Sequence, residues 1–81
     1  MVYFKVMPKS IEVDLDLLEK AIREAITPDK VQRNPIAFGI VAFNVAKLMP
    51  DASGELEKVE NKLKSIDLVG EVEVTEVMRM L

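Results

Sequence analysis

The segment at residues 34–45 is the most apolar part of the chain, and it limits the folds that the rest of the sequence can adopt. Its second half is mainly Val, Ile and Phe, which is the composition of a strand packed on at least one face. In its first half, Pro35 lacks a donor for a sheet ladder, and Gly39 permits backbone angles that other residues resist. We therefore predict a turn over residues 35–39 and a core strand over residues 40–49. The turn presents Phe38, whose ring is either tucked down locally or exposed to a partner.

A strand and a helix are predicted before this segment. Residues 2–7 alternate between two faces, with apolar side chains at the even positions, and a period of two is typical of a strand. Residues 15–26 carry apolar side chains at helical intervals. Pro28 disfavours helical angles in the residue before it, so we expect this helix to end near Thr27. The apolar residues that predict the helix are Leu15, Leu18, Ile22 and Ile26.

Both predicted helices have candidate residues for capping their N-termini. Asp14 or Asp16 caps the first helix, because an aspartate side chain accepts hydrogen bonds from free amide groups of the first turn. Asp16 and Glu19 also have the spacing of a capping box. The second helix follows the loop at residues 51–54, which we expect to contain its cap.

Two more strands and a second helix complete the prediction. Residues 29–34 are predicted to form a short polar strand before the central turn. A second apolar stripe predicts a helix that ends within residues 67–70, and residues 71–81 are predicted to form the last strand. The stripe consists of Leu56, Val59, Leu63 and Ile66.

The last predicted strand changes phase partway along its length. Val72 and Val74 share one face, but Val77 falls on the other. Either a β-bulge near Thr75 corrects the phase, or the end of the strand leaves the sheet.

The predicted order is strand, helix, strand, strand, helix, strand. The usual fold for this order is the α+β, ferredoxin-like split βαβ arrangement, with a four-stranded antiparallel sheet and both helices on one face. Residues 1–81 are therefore expected to form a single domain. The second face of the sheet is left for solvent or for binding.

The composition excludes several classes of function. The chain has neither Cys nor His, so we expect no catalytic residues, no metal site and no cofactor. Its net charge is −3 and its pI is about 4.9, which argues against nucleic acid as a direct partner. We find no membrane-spanning or signal-peptide pattern and therefore expect a cytoplasmic protein that does not bind membranes.

An RNA-binding alternative comes from residues 38–43, which resemble the longer signature of an RNA-recognition motif. In that signature a basic residue and a stacking aromatic occupy the positions of Ile36 and Ile40 here, so RNA binding through this face is disfavoured. The alternative function is accordingly a ferredoxin-like module that binds RNA or a small ligand. Self-association through edge strands is a third possibility.

Three separated segments together resemble the archaeal elongation factor 1-beta family. They are Lys5-Val6-Met7-Pro8 followed by Val13-Asp14-Leu15, the run Pro35-Ile36-Ala37-Phe38-Gly39-Ile40-Val41-Ala42, and Glu73-Val74-Thr75-Glu76-Val77 with Arg79. The resemblance covers essentially the whole chain and implies the same split βαβ fold. The connection at residues 27–34 is shorter than expected for that family, and this is expected to shorten the second strand.

The resemblance implies a guanine-nucleotide exchange factor for elongation factor 1-alpha that acts by binding, without covalent chemistry. Its expected partner is elongation factor 1-alpha in the GDP-bound and nucleotide-free forms. Phe38 matches the position of an aromatic residue that contacts the GTPase in eukaryotic relatives, and Arg79 is the nearest counterpart of their C-terminal lysine. The partner-binding residues implied in this way are Ala37, Phe38, Gly39, Arg79, Met80 and Leu81.

Overall fold

The computed structural model describes residues 1–49 and 54–78, which form one antiparallel sheet and two helices. The strand order is β2-β3-β1-β4, and each pair of neighbouring strands is antiparallel. This is the predicted ferredoxin-like α+β fold. In chain order the elements are β1 (Val2–Pro8), α1 (Leu15–Ile26), β2 (Lys30–Ala37), β3 (Ile40–Lys47), α2 (Glu55–Lys64) and β4 (Val69–Val77).

The core lies between the helices and one face of the sheet. Apolar side chains that alternate along the strands meet the stripes of the two helices, as the two periodicities predict. Phe4 and Phe43 are the largest of the fully buried side chains, and burying each contributes about 2 kcal/mol to folding. The other core residues are Val2, Val6, Leu18, Ile22, Ile26, Val45, Val59, Leu63 and Val72.

Asp14 is the N-cap of α1, one of the two residues predicted for that role. Its Oδ1 accepts hydrogen bonds from the backbone N–H groups of Asp16, at 3.0 Å, and Leu17, at 3.3 Å. The predicted capping box between Asp16 and Glu19 is wrong, because both carboxylates bind Arg33 instead. The helix ends where Pro28 predicts, with Thr27 as its C-cap in the left-handed conformation.

The N-cap position of α2 is occupied by Gly54, which has no side chain to cap the helix. The rest of the predicted capping loop, residues 51–53, lies outside the described residues. The helix ends at Lys64, several residues before the predicted break, so Val69 and Gly70 belong to β4.

Strand β2 is longer than predicted and continues through Pro35 to Ala37. The proline is tolerated because β2 is an edge strand and the next residue, Ile36, lies at a register irregularity. The predicted turn over residues 35–39 is therefore reduced to its last two residues. β2 has 8 residues, as many as β3, and the expectation that the connection at residues 27–34 shortens it relative to the family stays a prediction. Its partner β3 ends at Lys47, because the Leu48 N–H turns to Asp29 Oδ2 at 2.6 Å.

The change of phase in β4 is resolved by a β-bulge, the first of the two predicted alternatives. Tyr3 pairs with Glu76 and Phe4 with Val74, which leaves Thr75 as the extra residue. The Thr75 hydroxyl donates a hydrogen bond to the Tyr3 carbonyl oxygen at 3.2 Å. The bulge allows the end of β4 to remain in the sheet.

Candidate functional site

The candidate site is the tip of the β2–β3 hairpin, where Phe38 and Gly39 are the only residues between the two strands. Their φ angles are 53° and 78°. Positive φ at both central residues is the signature of a type I′ turn, whose twist matches that of the flanking strands. The pair Ala37–Ile40 closes the hairpin. The structure thus brings together three of the predicted partner-binding residues, Ala37, Phe38 and Gly39.

The side chain of Phe38 is 94% exposed, so its ring is not tucked against the turn. Its backbone adopts a left-handed conformation, which costs a residue other than glycine roughly 1–3 kcal/mol. An aromatic ring held in solvent on a strained backbone adds nothing to the core. Residues of this kind are typical anchors of protein–protein interfaces.

Gly39 is required by the geometry of the turn and not by lack of space. A Cβ atom built on Gly39 would meet no atom within 4 Å, whereas its φ of 78° lies in the region that glycine adopts most readily. A side chain at this position would therefore strain the turn that presents Phe38.

Three further apolar side chains are exposed at the same end of the molecule, and the sequence analysis did not identify them as candidates. Ile36 is 45% exposed beside the turn, Leu17 is 57% exposed in the first turn of α1, and Ile11 is 67% exposed in the loop after β1. These segments meet because β1 and β2 run in the same direction and α1 runs back between them. The sequence contains a signal for Leu17, which is an apolar residue outside the stripe of α1.

Arg33 connects the middle of β2 to helix α1. Its Nη2 lies 2.5 Å from Asp16 Oδ1, and its Nε lies 3.3 Å from Glu19 Oε1. The hydrogen bond that Arg33 donates to Asp16 is the main cause that raises the pKa of Arg33 above its usual value, so the guanidinium remains charged. The same guanidinium lies 5.6 Å from the centre of the Phe43 ring, and the second oxygen of Glu19 pairs with Arg23.

The other predicted partner-binding residues, Arg79, Met80 and Leu81, lie outside the described residues. The last described residue before them, Met78, is hydrogen bonded to Met1 in both directions, at 2.8 and 2.9 Å. This contact lies at the end of the sheet opposite the Phe38 turn. The two ends are separated by the 8 residues of β3, which corresponds to about 24 Å.

The sheet face opposite the helices is polar. Register places Lys5 beside Asn44 on one side and beside Glu73 on the other, and Glu71 and Glu76 lie on the same face of β4. Tyr3 is its one aromatic residue, because the chain's other aromatic side chains are Phe38 in the turn and two buried phenylalanines. This face therefore offers little for the base stacking on which the RNA-binding alternative depends.

Within residues 1–49 and 54–78, no group of three acidic side chains could hold a metal ion. No helix in these ranges is both long enough and apolar enough to cross a membrane.

Comparison with known proteins gives concordant matches. The chain matches the family model described as the EF-1 guanine nucleotide exchange domain over residues 1–80. It is 44% identical over 81 residues to the elongation factor 1-beta of Methanothermobacter thermautotrophicus, with 95% of this chain and 91% of that protein covered. It is 39% identical over 80 residues to the elongation factor 1-beta of Methanosphaera stadtmanae, covering 95% and 91%. The elongation factor 1-beta of Natronomonas pharaonis is also 39% identical over 80 residues, covering 94% and 91%.

Proposed function

Since this chain belongs to the family of EF-1 guanine nucleotide exchange domains, it promotes the exchange of GDP for GTP on elongation factor 1-alpha, and we propose that it does so through the Phe38 hairpin. The observation that carries this proposal is the exposure of an aromatic ring on a strained turn. Ala37 and Gly39 form the turn that presents the ring, and Ile36 extends the apolar surface beside it. The hairpin would insert Phe38 into an apolar pocket of the GTPase.

The proposed mechanism is binding without covalent chemistry. The factor binds the GDP-bound GTPase and has its highest affinity for the nucleotide-free form. Nucleotide and factor then weaken each other's binding by the same factor, because the coupling free energy between two sites is reciprocal. The rate of GDP release rises to the extent that the contacts of Phe38 are stronger after nucleotide has left.

A second contact is proposed for Arg79, Met80 and Leu81, as the family resemblance implies. These residues follow Met78, which lies about 24 Å along the sheet from the Phe38 turn. The two contacts would therefore reach separate parts of the GTPase surface. A charged side chain at the C-terminal contact would compete with magnesium for the groups around the nucleotide phosphates.

We further propose that residues 1–81 act as one domain in the cytoplasm, where polypeptide chains are elongated. Direct binding to nucleic acid or membranes is not part of the proposed function. The net charge of −3 supports this, because phosphate-rich surfaces select for basic proteins.

The variant Phe38→Ala tests the proposal. We expect kcat/KM for GDP release from elongation factor 1-alpha to fall roughly 30-fold, the effect of losing about 2 kcal/mol at an interface hot spot. Leu48→Ala is the matched control, because Leu48 is also an exposed apolar residue but follows β3 at the end of the sheet away from the Phe38 turn, and this variant should change kcat/KM less than twofold. Unchanged exchange by Phe38→Ala, or a sharp loss of its thermal stability, would show that Phe38 is not an interface anchor.

A further inference from the structure

The strand that leads into Phe38, β2, is the least buried strand of the sheet. β2 is an outer strand that pairs only with β3, and Val31 is its one half-buried residue. Backbone hydrogen bonds to β3 set the register of the hairpin, but both strands of a hairpin can twist and bend together. β3 is held to β1 from Phe43 to Lys47, so the direction of the turn beyond Phe43 depends on that pairing and on side chains that join β2 to the body of the protein.

Among the described residues, Arg33 is the β2 side chain that forms ion pairs with α1. Its planar guanidinium reaches the carboxylates of Asp16 and Glu19, which lie three residues apart on one face of the helix. The ring of Phe43 beneath it is fully buried and so provides a fixed base. Three contacts in different directions restrain the orientation of Arg33 more than a single ion pair would.

We propose that Arg33 is a positioning residue for Phe38: by joining the edge strand β2 to α1, it holds the hairpin in the orientation that docks on the GTPase. The inference rests on the proposed function, because Phe38 must be the docking residue for its orientation to matter. Arg33 lies five positions before Phe38, about 17 Å along the strand, and acts through the strand instead of touching the GTPase.

Loss of the Arg33 contacts should weaken binding to the GTPase and leave the later steps of exchange unchanged. Apparent affinity falls in proportion to the fraction of molecules that hold the competent conformation. If Arg33→Gln lowers this fraction to about one third, the KM for the GTPase rises about threefold while kcat is unchanged. Breaking the shorter ion pair from the other side, with Asp16→Asn, should have the same effect.

Arg23→Gln is the matched control. Arg23 also places its Nε 3.3 Å from a Glu19 oxygen, and its substitution also removes one positive charge, but its ion pair stays within α1. We expect KM and kcat for this variant to stay within about 1.5-fold of the wild-type values, because exposed ion pairs within a helix contribute little.

Two readouts test the proposal. In amide hydrogen exchange, Arg33→Gln should speed exchange in residues 30–40 about threefold and leave the cores of β1 and α1 unchanged, whereas Arg23→Gln should not affect the hairpin. In GDP release, Arg33→Gln should raise KM in the wild-type background and have no further effect on Phe38→Ala, because the hairpin acts through Phe38.

The outcomes separate this inference from the proposed function. Uniform changes of hydrogen exchange, or an Arg33 effect that persists in the Phe38→Ala background, would show a general structural role and overturn the proposal. If Phe38→Ala left exchange intact, that result would contradict the proposed function of the hairpin but would not test whether Arg33 restrains the strand. Hydrogen exchange in residues 30–40 would then decide independently whether Arg33 restrains the strand.

Discussion

At the scale of single residues, Phe38 is the position where folding and function make opposite demands. The type I′ turn favours Asn-Gly, since asparagine tolerates positive φ better than other residues with side chains. The chain has Phe-Gly instead, with the aromatic ring in solvent. A residue that breaks a local rule without a compensating contact in the fold is expected at functional sites. The strain at Phe38 is therefore consistent with a role in binding.

We predict that Phe38→Asn stabilises the fold and impairs function. Relief of backbone strain should raise the free energy of unfolding by about 1 kcal/mol, and Tm by about 4–8 °C for a domain of this size. Loss of the ring should lower kcat/KM for GDP release as much as Phe38→Ala does. Thermal unfolding followed by circular dichroism, together with the exchange assay, checks both parts. A lower Tm would mean that the Phe38 ring stabilises the fold.

At the scale of elements, the sequence alone predicts the helices and strands wherever the periodicity of their apolar side chains determines which face is buried. The alternation in β1 and the stripe of α1 predicted which side chains face the core, and the phase change in β4 predicted two alternatives, of which the bulge at Thr75 is the one that occurs. The boundaries of β2 were predicted less well. The sequence predicts that the turn begins at Pro35, but an edge strand with an irregularity beside the proline can continue past it.

The contacts of Arg33 could not be predicted from the sequence. They join residues 14 and 17 positions apart, and they depend on how α1 crosses the edge of the sheet. Asp16 and Glu19 have a spacing that fits both a capping box and a pair of carboxylates on one helix face, so local pattern alone does not distinguish the two. The sequence also does not predict whether Phe38 is exposed, because periodicity does not apply to a two-residue turn.

Alanine substitutions at Gly70 and Gly39 distinguish two reasons for a glycine. At Gly70 a neighbouring strand lies too close for a side chain, and at Gly39 the backbone has a positive φ. A Cβ atom at Gly70 would lie 2.8 Å from the Cα atom of Lys9 and 3.0 Å from the Pro8 carbonyl oxygen, both backbone atoms that cannot easily move. We predict that Gly70→Ala lowers the free energy of unfolding by about 2 kcal/mol.

Gly39→Ala introduces backbone strain without a clash, and it should lower the free energy of unfolding by about 1 kcal/mol. Denaturant unfolding measures both variants. If Gly39→Ala lowered the free energy of unfolding as much as Gly70→Ala or more, the close packing of β4 on the end of β1 would be contradicted.

At the scale of the whole molecule, the Phe38 turn and Met78, the residue before the proposed C-terminal contact, lie at opposite ends of an elongated body. The principal extents are 40 × 21 × 17 Å, and the sheet runs between the Phe38 turn and the Met1–Met78 contact. Substitutions this far apart that touch no common residue usually have additive effects on free energy. The exchange factor would therefore bind its GTPase through two contacts that contribute separately.

Independence of the two contacts is testable with a chain that ends at Met78. Removing Arg79, Met80 and Leu81 should lower kcat/KM, and combining the truncation with Phe38→Ala should give an effect equal to the product of the two separate reductions. A truncation with no effect on exchange would remove the C-terminal residues from the proposed interface. A combined effect no larger than that of Phe38→Ala would show that the contacts are not independent.

The most direct test of the account is the release of a fluorescent GDP analogue from elongation factor 1-alpha, with this protein added at one tenth of the GTPase concentration. We predict that the wild-type protein accelerates release of all the bound nucleotide, which requires each molecule to act many times. Phe38→Asn, folded and at least as stable, should accelerate it far less. Unchanged release with the wild-type protein, or equal acceleration by Phe38→Asn, would contradict the claim that this hairpin drives nucleotide exchange.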